Sequence, residues 1–267
     1  MKNNNFWWQK IFDERYLKIY SFGITEERTN KELKFLLTFI KKKFKNRKIK
    51  ILDLACGYGR HSLPLAENGY EVIGVDYSKY FLSLAKEKAK ELKIKNVRFL
   101  RKDIRKINFK EEFDLVINMF NSFGYFDNNE DNIKVLKNVY ESLKRGGYFI
   151  LDLENPNFCW KFFLKNPQVT EEGFLYYEFK EPNKELDINT KVILDHVNRF
   201  VILQRKWEEN GKENLWEGKF KLFYPEEILI YLKLIGFERI KIFGDFDFKK
   251  IFNKESSRMI FKAFKRG

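Results

Sequence analysis

The chain has 267 residues, 44% of them hydrophobic and 18% aromatic, so it can bury a large core and is not a disordered basic tail. Lys and Arg number 52 against 38 Asp and Glu, which gives a formal net charge of +14. Two cysteines, Cys56 and Cys159, and two histidines are too few for a disulfide framework or a structural zinc cluster, so we expect no metal site.

The first predicted element is a basic helix that begins after Thr25. Thr25 is a suitable N-cap, and apolar residues from Leu33 to Phe44 recur at helical spacing. Residues 31–50 carry nine Lys or Arg against a single acid, Glu32. A clustered cationic face attracts phosphate groups, so RNA is one candidate partner. RNA is not the favoured partner, because the two signs of charge are interspersed along most of the remaining chain.

Short apolar runs then alternate with stretches of helical periodicity. Strands that are apolar on both faces are buried on both faces, so this alternation predicts an α/β fold, a parallel sheet with helices on both sides. The runs lie at residues 49–54, 70–75, 97–100, 113–117 and 148–153.

The pattern changes after the fifth run. Residues from about 174 to 223 read as successive strands, with a strong hairpin signal at Asn210-Gly211. A helix from Pro225 to the residue before Gly236 then restores the α/β pattern, followed by two strands. The final strands are expected at residues 237–243 and 258–264.

We therefore expect a single domain over residues 1–267 that contains an antiparallel β insertion over residues 155–223. Open α/β sheets bind ligands beyond the carboxyl ends of their strands. The insertion begins at that edge, which predicts that it acts as a substrate lid.

The loop from Asp53 to His61 carries the strongest chemical signal. A strand end runs through Gly57 and Gly59 into a helix, and glycines there let the backbone approach a ligand closely. The loop fits neither a dinucleotide fingerprint, since Ser62 stands where Gly or Ala is expected, nor a phosphate-binding loop. Asp53 would repel a pyrophosphate and attract an ammonium group. The expected ligand therefore combines a nucleoside with a cationic end.

Two further acids follow the next two predicted strands. Asp76 lies 19 residues beyond Gly57, where a carboxylate can accept both ribose hydroxyls. Asp103 follows the third strand and could accept the exocyclic amine of a purine, with Ile104 covering the ring. Three acids at successive strand ends match an amine, a ribose and an adenine in order.

These residues resemble the class I S-adenosylmethionine-dependent methyltransferases. The stretch from Asp53 to Gly59 is similar to the first motif of that superfamily, Val75-Asp76 to its second and Lys102-Asp103-Ile104 to its adenine motif. The resemblance implies S-adenosyl-L-methionine as the cofactor and a Rossmann-like, seven-stranded, mostly parallel sheet whose last strand is antiparallel. It also implies that Ala55, Cys56, Gly57, Gly59 and Tyr77 contact the cofactor beside Asp53, Asp76, Asp103 and Ile104.

The stretch from Asn118 to Phe126 is similar to small-molecule N-methyltransferases of the glycine or nucleotide-amino-sugar type. By that likeness, the backbone at Asn118 and Met119 faces the methionine end of the cofactor, and Tyr125 lines the acceptor pocket. The Asn/Asp-Pro-Pro-aromatic motif of enzymes that methylate exocyclic base amines is absent. No cysteine is placed as a 5-methylcytosine nucleophile.

The amino-terminal segment, residues 1–30, is dense in aromatic residues and reads equally well as a flap over the cofactor or as a hydrophobic anchor. As a flap, it would bring Tyr16 or Tyr20 to the cofactor carboxylate, which Arg28 or Arg60 could also pair with. A catalytic base is not identified by the pattern. The candidates are Tyr125, Tyr20 and His196, whereas His61 reads as structural.

The sequence thus predicts a methyltransferase that acts on a small molecule, with an amine nitrogen favoured over oxygen as the acceptor. Two alternatives stay open: an RNA methyltransferase that uses the basic helix at residues 31–50, and a noncatalytic S-adenosylmethionine-binding protein. No apolar run reaches the roughly 18 residues that span a bilayer. The opening residues lack the apolar stretch of a secretory signal, so we expect a cytoplasmic protein without a membrane partner.

Overall fold

Helices and strands alternate from residue 26 to residue 165 in the computed structural model, which describes residues 7–20, 23–45, 47–183 and 185–267. The helices are α1 (Trp8–Ile11), α2 (Glu14–Tyr20), α3 (Glu26–Phe44), α4 (Ser62–Glu67), α5 (Lys79–Glu91), α6 (Asn129–Ser142), α7 (Pro156–Lys165) and α8 (Pro225–Ile235). The strands are β1 (Lys50–Leu54), β2 (Glu71–Asp76), β3 (Val97–Arg101), β4 (Phe113–Asn118), β5 (Leu143–Glu154), β6 (Gln168–Val169), β7 (Leu175–Lys180), β8 (Asn189–Asp195), β9 (Phe200–Glu209), β10 (Lys212–Lys221), β11 (Phe237–Phe243) and β12 (Arg258–Lys265).

The main sheet has seven strands in the order β11-β12-β5-β4-β1-β2-β3. Strands β1 to β5 pair in parallel, and β12 runs antiparallel to both of its neighbours, β5 and β11. The predicted α/β class, the seven-stranded Rossmann-like sheet and the antiparallel last strand are confirmed. Parallel order brings the carboxyl ends of β1, β2, β4 and β5 to one edge.

Side chains alternate across this sheet, so each strand contributes to two cores. Ile51, Leu115 and Ile150 pack with the apolar face of α3 on one side. Leu52, Val116 and Leu151 pack with α6 and α8 on the other. Burial on both faces explains why the strands read as apolar runs.

A second, antiparallel sheet of order β10-β9-β8-β7-β6 lies between β5 and α8 in the chain. Asn210 and Gly211 form its last hairpin with φ of 55° and 72°, as the sequence predicts. The insertion is not β structure from its start at residue 155, because residues 156–165 form α7. Asn155 caps that helix by accepting a hydrogen bond from the backbone N–H of Asn157, Pro156 occupies its first turn, and Phe163 is buried.

The amino-terminal helices α1 and α2 bridge the two sheets. Trp216 of β10 donates its indole N–H to the carbonyl of Ile11 at 3.1 Å, and Ser78 donates its hydroxyl to the carbonyl of Phe12 at 2.6 Å. Residues 1–6, 21 and 22 of the predicted flap lie outside the described residues. No helix in the described ranges combines the length and hydropathy that a membrane crossing requires.

Candidate active site

The loop between β1 and α4 turns through three residues with positive φ: Ala55 at 55°, Gly57 at 56° and Gly59 at 85°. A Cβ at Gly59 would lie 3.1 Å from Leu63 and 3.2 Å from Phe99, so both space and conformation require glycine. The loop can therefore bring backbone atoms close to a ligand, as expected from the sequence.

Asp76 at the end of β2 holds this loop. Its Oδ2 accepts the backbone N–H of Gly57 at 2.8 Å, and its Oδ1 accepts that of Ser78 at 2.8 Å. Burial raises the pKa of Asp76 to about 6, although these hydrogen bonds oppose the change. The carboxyl group thus titrates close to neutral pH before any ligand arrives.

Asp53 at the carboxyl end of β1 is buried and accepts the hydroxyl hydrogen of Ser62 at 2.6 Å. Burial raises its pKa, while the charge of His61 and the hydrogen bond from Ser62 act in the opposite direction. Ser62, which departs from the dinucleotide fingerprint, therefore has a structural role as a partner of Asp53.

Asp103 already forms hydrogen bonds within the protein. Its two oxygens accept hydrogen bonds from the backbone N–H and the guanidinium of Arg105, which also donates to Asp131 at 2.7 Å. Ile104 begins the short 3₁₀ helix that follows. Asp103 therefore positions Arg105 in addition to any contact with a purine.

These loops surround a partly open space that we call the inner cavity. Twelve of the residues predicted from sequence line it: Tyr16, Asp53, Ala55, Cys56, Gly57, Arg60, Asp76, Tyr77, Asp103, Ile104, Met119 and Tyr125. Cys56 is buried, and burial raises the pKa of its thiol, so it remains protonated. Trp8 and Phe12 of the amino-terminal segment close one side of the cavity.

Three further predicted residues lie elsewhere. Gly59 shapes the turn but does not line the inner cavity, and His196 is exposed in the turn between β8 and β9, away from both cavities. Asn118 also does not line the cavity. Its side chain donates to the carbonyl of Leu54 at 2.9 Å and so links β4 to β1.

A buried charge cluster at Glu32 was not predicted. Its carboxylate, fully buried on α3, binds Arg28 at 2.9 Å, His61 at 2.8 Å and Arg60. Burial acts to raise the pKa of Glu32, but these hydrogen bonds and charges outweigh it and lower the pKa to about 2. Arg60 and His61 line the inner cavity. The available signal was that Glu32 is the single acid among the nine Lys and Arg of residues 31–50.

A second space, the outer cavity, has a volume of about 670 Å³ and lies between α2, α3, α7 and the second sheet. Tyr20 and Arg28 line this cavity rather than the inner one. Three residues, Tyr16, Phe120 and Tyr125, line both cavities. These residues form the wall through which the two spaces meet.

The loop after β4, which carries the wall residues Phe120 and Tyr125, has an unusual backbone. Phe120 and Asn121 have φ of 60° and 58°, a conformation that non-glycine residues rarely adopt. Asp152 of β5 holds the loop, since its Oδ2 accepts the N–H of Phe120 at 2.8 Å and its carbonyl accepts that of Asn121 at 3.1 Å. Arg28 and Arg60 stack on the ring of Phe120 at 4.3 and 5.1 Å.

Comparison with known proteins agrees with this architecture. Residues 51–147 match the profile of a family described as a methyltransferase domain. A glycine/sarcosine N-methyltransferase of Aphanothece halophytica is 29% identical over 221 residues, which cover 75% of this chain and 79% of that protein.

Two solved structures share the fold. An S-adenosylmethionine-dependent methyltransferase from Clostridium acetobutylicum has a TM-score of 0.76 at 21% identity, covering 95% of this chain and 97% of that one. CalS10, an amino pentose methyltransferase of Micromonospora echinaspora solved with S-adenosylmethionine bound, has a TM-score of 0.67 at 17% identity, covering 94% and 97%. The chain therefore contains a methyltransferase domain at residues 51–147, within a fold that it shares with S-adenosylmethionine-dependent methyltransferases.

Proposed function

We propose that the protein transfers a methyl group to a nitrogen of a small-molecule amine that binds in the outer cavity. The observation that carries this proposal is the wall of Tyr16, Phe120 and Tyr125 shared by the two cavities. Methyl transfer needs a donor site and an acceptor site in direct contact. The similarity to a glycine/sarcosine N-methyltransferase supports nitrogen as the acceptor atom.

The inner cavity is the proposed site of S-adenosylmethionine, which supplies an electrophilic methyl group on a sulfonium. Asp76 would accept the ribose hydroxyls, Asp103 and Ile104 would contact the adenine, and Asp53 would attract the ammonium group. The loop from Ala55 to Gly59 and the residue Tyr77 would surround the rest of the cofactor.

The Glu32 cluster supplies a counter-charge for the cofactor carboxylate. Arg28 and Arg60 share the single carboxylate of Glu32, so the two guanidinium groups keep one positive charge in excess of that carboxylate. Arg60 lines the inner cavity, so this excess charge lies beside the proposed methionine end. The stacking of both guanidinium groups on Phe120 connects this end to the shared wall.

The wall residues would align donor and acceptor, an effect worth roughly 7 to 11 kcal/mol in favourable cases. Tyr125 is suited to positioning, because burial raises the pKa of its phenol far above neutral pH and leaves the hydroxyl protonated. The second sheet and the amino-terminal segment cover the cavities as lid and flap, which excludes water from the reacting atoms.

The cavity walls favour a small acceptor over RNA. The outer cavity is lined by aromatic residues such as Phe158, Phe163 and Phe220. Of the nine Lys and Arg at residues 31–50, all within the described ranges, Lys31 alone lines either cavity. An RNA substrate would instead require an accessible cationic track.

The test is transfer of labelled methyl groups to pooled amines, hydroxyl compounds, RNA and protein. We expect label in amines, reduced by Asp76→Ala at low cofactor concentration and retained in Asp187→Ala, an exposed acid outside both cavities. Label found only in hydroxyl compounds, or only in RNA with a strong salt dependence, would overturn the proposal.

A further inference from the structure

Glu154 is the last residue of β5 and lines the outer cavity. Its backbone N–H donates to Oδ1 of Asn121 at 3.0 Å, so it is tied to the loop that carries the shared wall. Its side chain is 37% exposed, whereas the neighbouring acid Asp152 is fully buried. The carboxylate of Glu154 is therefore the one at this strand end that a ligand can reach.

Carboxylates of the protein bind the cations around the outer cavity. Arg205 donates from Nε to Glu181 at 2.6 Å, and Lys31 pairs with Asp245 at 2.7 Å. Arg28 is held by Glu32, as described above. Each of these three side chains is therefore held by a carboxylate of the protein, although Glu32 and Asp245 are each shared with a second cation, Arg60 and Lys250 respectively.

Arg258 is shared by two acids. Its Nε donates to Oδ1 of Asp152 at 2.8 Å, and its Nη1 reaches Oε1 of Glu154 only at 3.5 Å. One arginine between two carboxylates leaves one net negative charge, and the weakly paired Glu154 carries it toward the cavity. The net charge at Glu154 is therefore negative, whereas the group of Arg28, Arg60 and Glu32 on the other side of the wall has a net positive charge.

Neutral hydrogen-bond donors and aromatic rings surround Glu154. The thiol of Cys159 donates to Oε2 at 3.5 Å, and burial followed by the charge of Glu154 raises the pKa of that thiol. Burial is the main cause that raises the pKa values of Tyr20, Tyr125 and Tyr177, the last to about 12. The negative charge of Glu154 raises all three pKa values further. An anion among protonated phenols and aromatic faces is an environment that binds organic cations.

We propose that Glu154 is the acceptor-binding and proton-accepting residue, and that the acceptor is an amine that enters as its ammonium ion. This inference rests on the proposed function. The ammonium hydrogen-bonds to the carboxylate and transfers one proton to it, which leaves a neutral nitrogen with a free lone pair. That lone pair forms the N–C bond as the S–C bond breaks and its electron pair stays on sulfur. The protonated Glu154 then releases its proton to solvent.

The first measurement is binding without turnover. The protein is first saturated with S-adenosylhomocysteine and then titrated at pH 7 with benzylamine, benzyl alcohol or phenylacetate. These three ligands have similar shapes and are a cation, a neutral molecule and an anion, respectively. We expect the cation to bind at least about tenfold more tightly than the other two, the effect of a charged hydrogen bond. Binding of phenylacetate or benzyl alcohol as tight as that of benzylamine, or no saturable binding of benzylamine, overturns the proposal.

The second measurement uses Glu154→Gln, which keeps the shape and removes the charge. Glu178→Gln is the matched control, because Glu178 is an exposed acid on β7 that lines neither cavity. Glu154→Gln should abolish the preference for the cation and lower kcat/KM for a methylated amine by roughly 100-fold or more. Affinity for S-adenosylhomocysteine should not change in either variant.

The outcomes separate this inference from the proposed function. Amines that are methylated equally well by Glu154→Gln and by the wild type would overturn the role of Glu154 and leave N-methylation standing. Methylation of hydroxyl compounds alone would overturn both.

Discussion

The backbone N–H of Gly57 donates to Oδ2 of Asp76 at 2.8 Å, and this contact ties the glycine loop to the end of the neighbouring strand. Ser78 donates to the other oxygen at the same distance. Each oxygen keeps a lone pair for a further donor, so the same carboxylate can shape the loop and accept hydroxyl groups.

The raised pKa of Asp76 predicts that cofactor binding depends on pH. Ribose hydroxyls donate to the ionised carboxylate and favour it, so binding must lower a pKa that starts at about 6 and must release a proton. The affinity for S-adenosylhomocysteine should therefore rise from pH 5 to pH 7. Calorimetry at pH 6 in two buffers of different ionisation enthalpy measures the released proton directly.

The matched variant is Asp76→Asn, which retains the shape without the titration. It should weaken binding by at least about 1 kcal/mol through loss of the charged hydrogen bonds and should remove the pH dependence. An affinity that is flat between pH 5 and pH 7 in the wild type would remove Asp76 from the ribose site.

Glu32 predicts a loss of stability in acid. Its folded-state pKa of about 2 lies below the ordinary value of 4.5, so it contributes stability that is present above pH 4.5 and lost as the pH falls toward 2. The size of the shift corresponds to about 3 kcal/mol. The free energy of unfolding, measured by denaturant titration between pH 7 and pH 3, should decrease over this range.

Glu32→Gln should destabilise the protein at pH 7 by about 3–5 kcal/mol, because Arg28 and Arg60 would lose their buried partner. The free energy of unfolding of this variant should also change less between pH 7 and pH 3 than that of the wild type. Glu26→Gln, an exposed acid in the first turn of the same helix, is the control and should retain the wild-type curve. A Glu32→Gln curve parallel to that of the wild type would contradict this account.

Gly74 in β2 sets how closely the glycine loop can pack on the sheet. A Cβ at this position would lie 2.7 Å from Cδ1 of Phe99 and 2.8 Å from Sγ of Cys56. Gly74→Ala should lower the free energy of unfolding by about 1–3 kcal/mol, the usual cost of overpacking. Gly23→Ala, whose nearest contact would be 3.7 Å, should be tolerated. Thermal and denaturant unfolding of the two variants would show the contrast, and equal stability would refute it.

The sequence predicts the parallel sheet because buried strands and amphipathic helices leave different periodicities. It also predicts Asp53 and Asp76 at the inner cavity, since the ends of parallel strands meet at one edge. Glu154, at the end of the parallel strand β5, lies at the same edge for the same reason, but it was not among the residues predicted from the sequence. Arg205 pairs with Glu181, which lies 24 residues earlier in the chain, and Arg60 pairs with Glu32, which lies 28 residues earlier. No local pattern specifies such contacts, because the loops between the partners set their approach.

The amino-terminal segment is the part of the chain for which two interpretations stayed open, and Trp216 distinguishes them. Its indole N–H donates to the carbonyl of Ile11 at 3.1 Å, and its ring lies 5.5 Å from that of Tyr20.

Trp216→Phe keeps the apolar contact and removes the donor, at a cost of about 0.5–1.5 kcal/mol. If the segment is a flap, α1 should open more often, and S-adenosylhomocysteine should dissociate up to about tenfold faster in stopped-flow experiments. Trp160→Phe on α7, which lines neither cavity, should retain the wild-type rate. Unchanged dissociation in Trp216→Phe, together with faster proteolysis within residues 7–20, would identify the segment as an anchor instead.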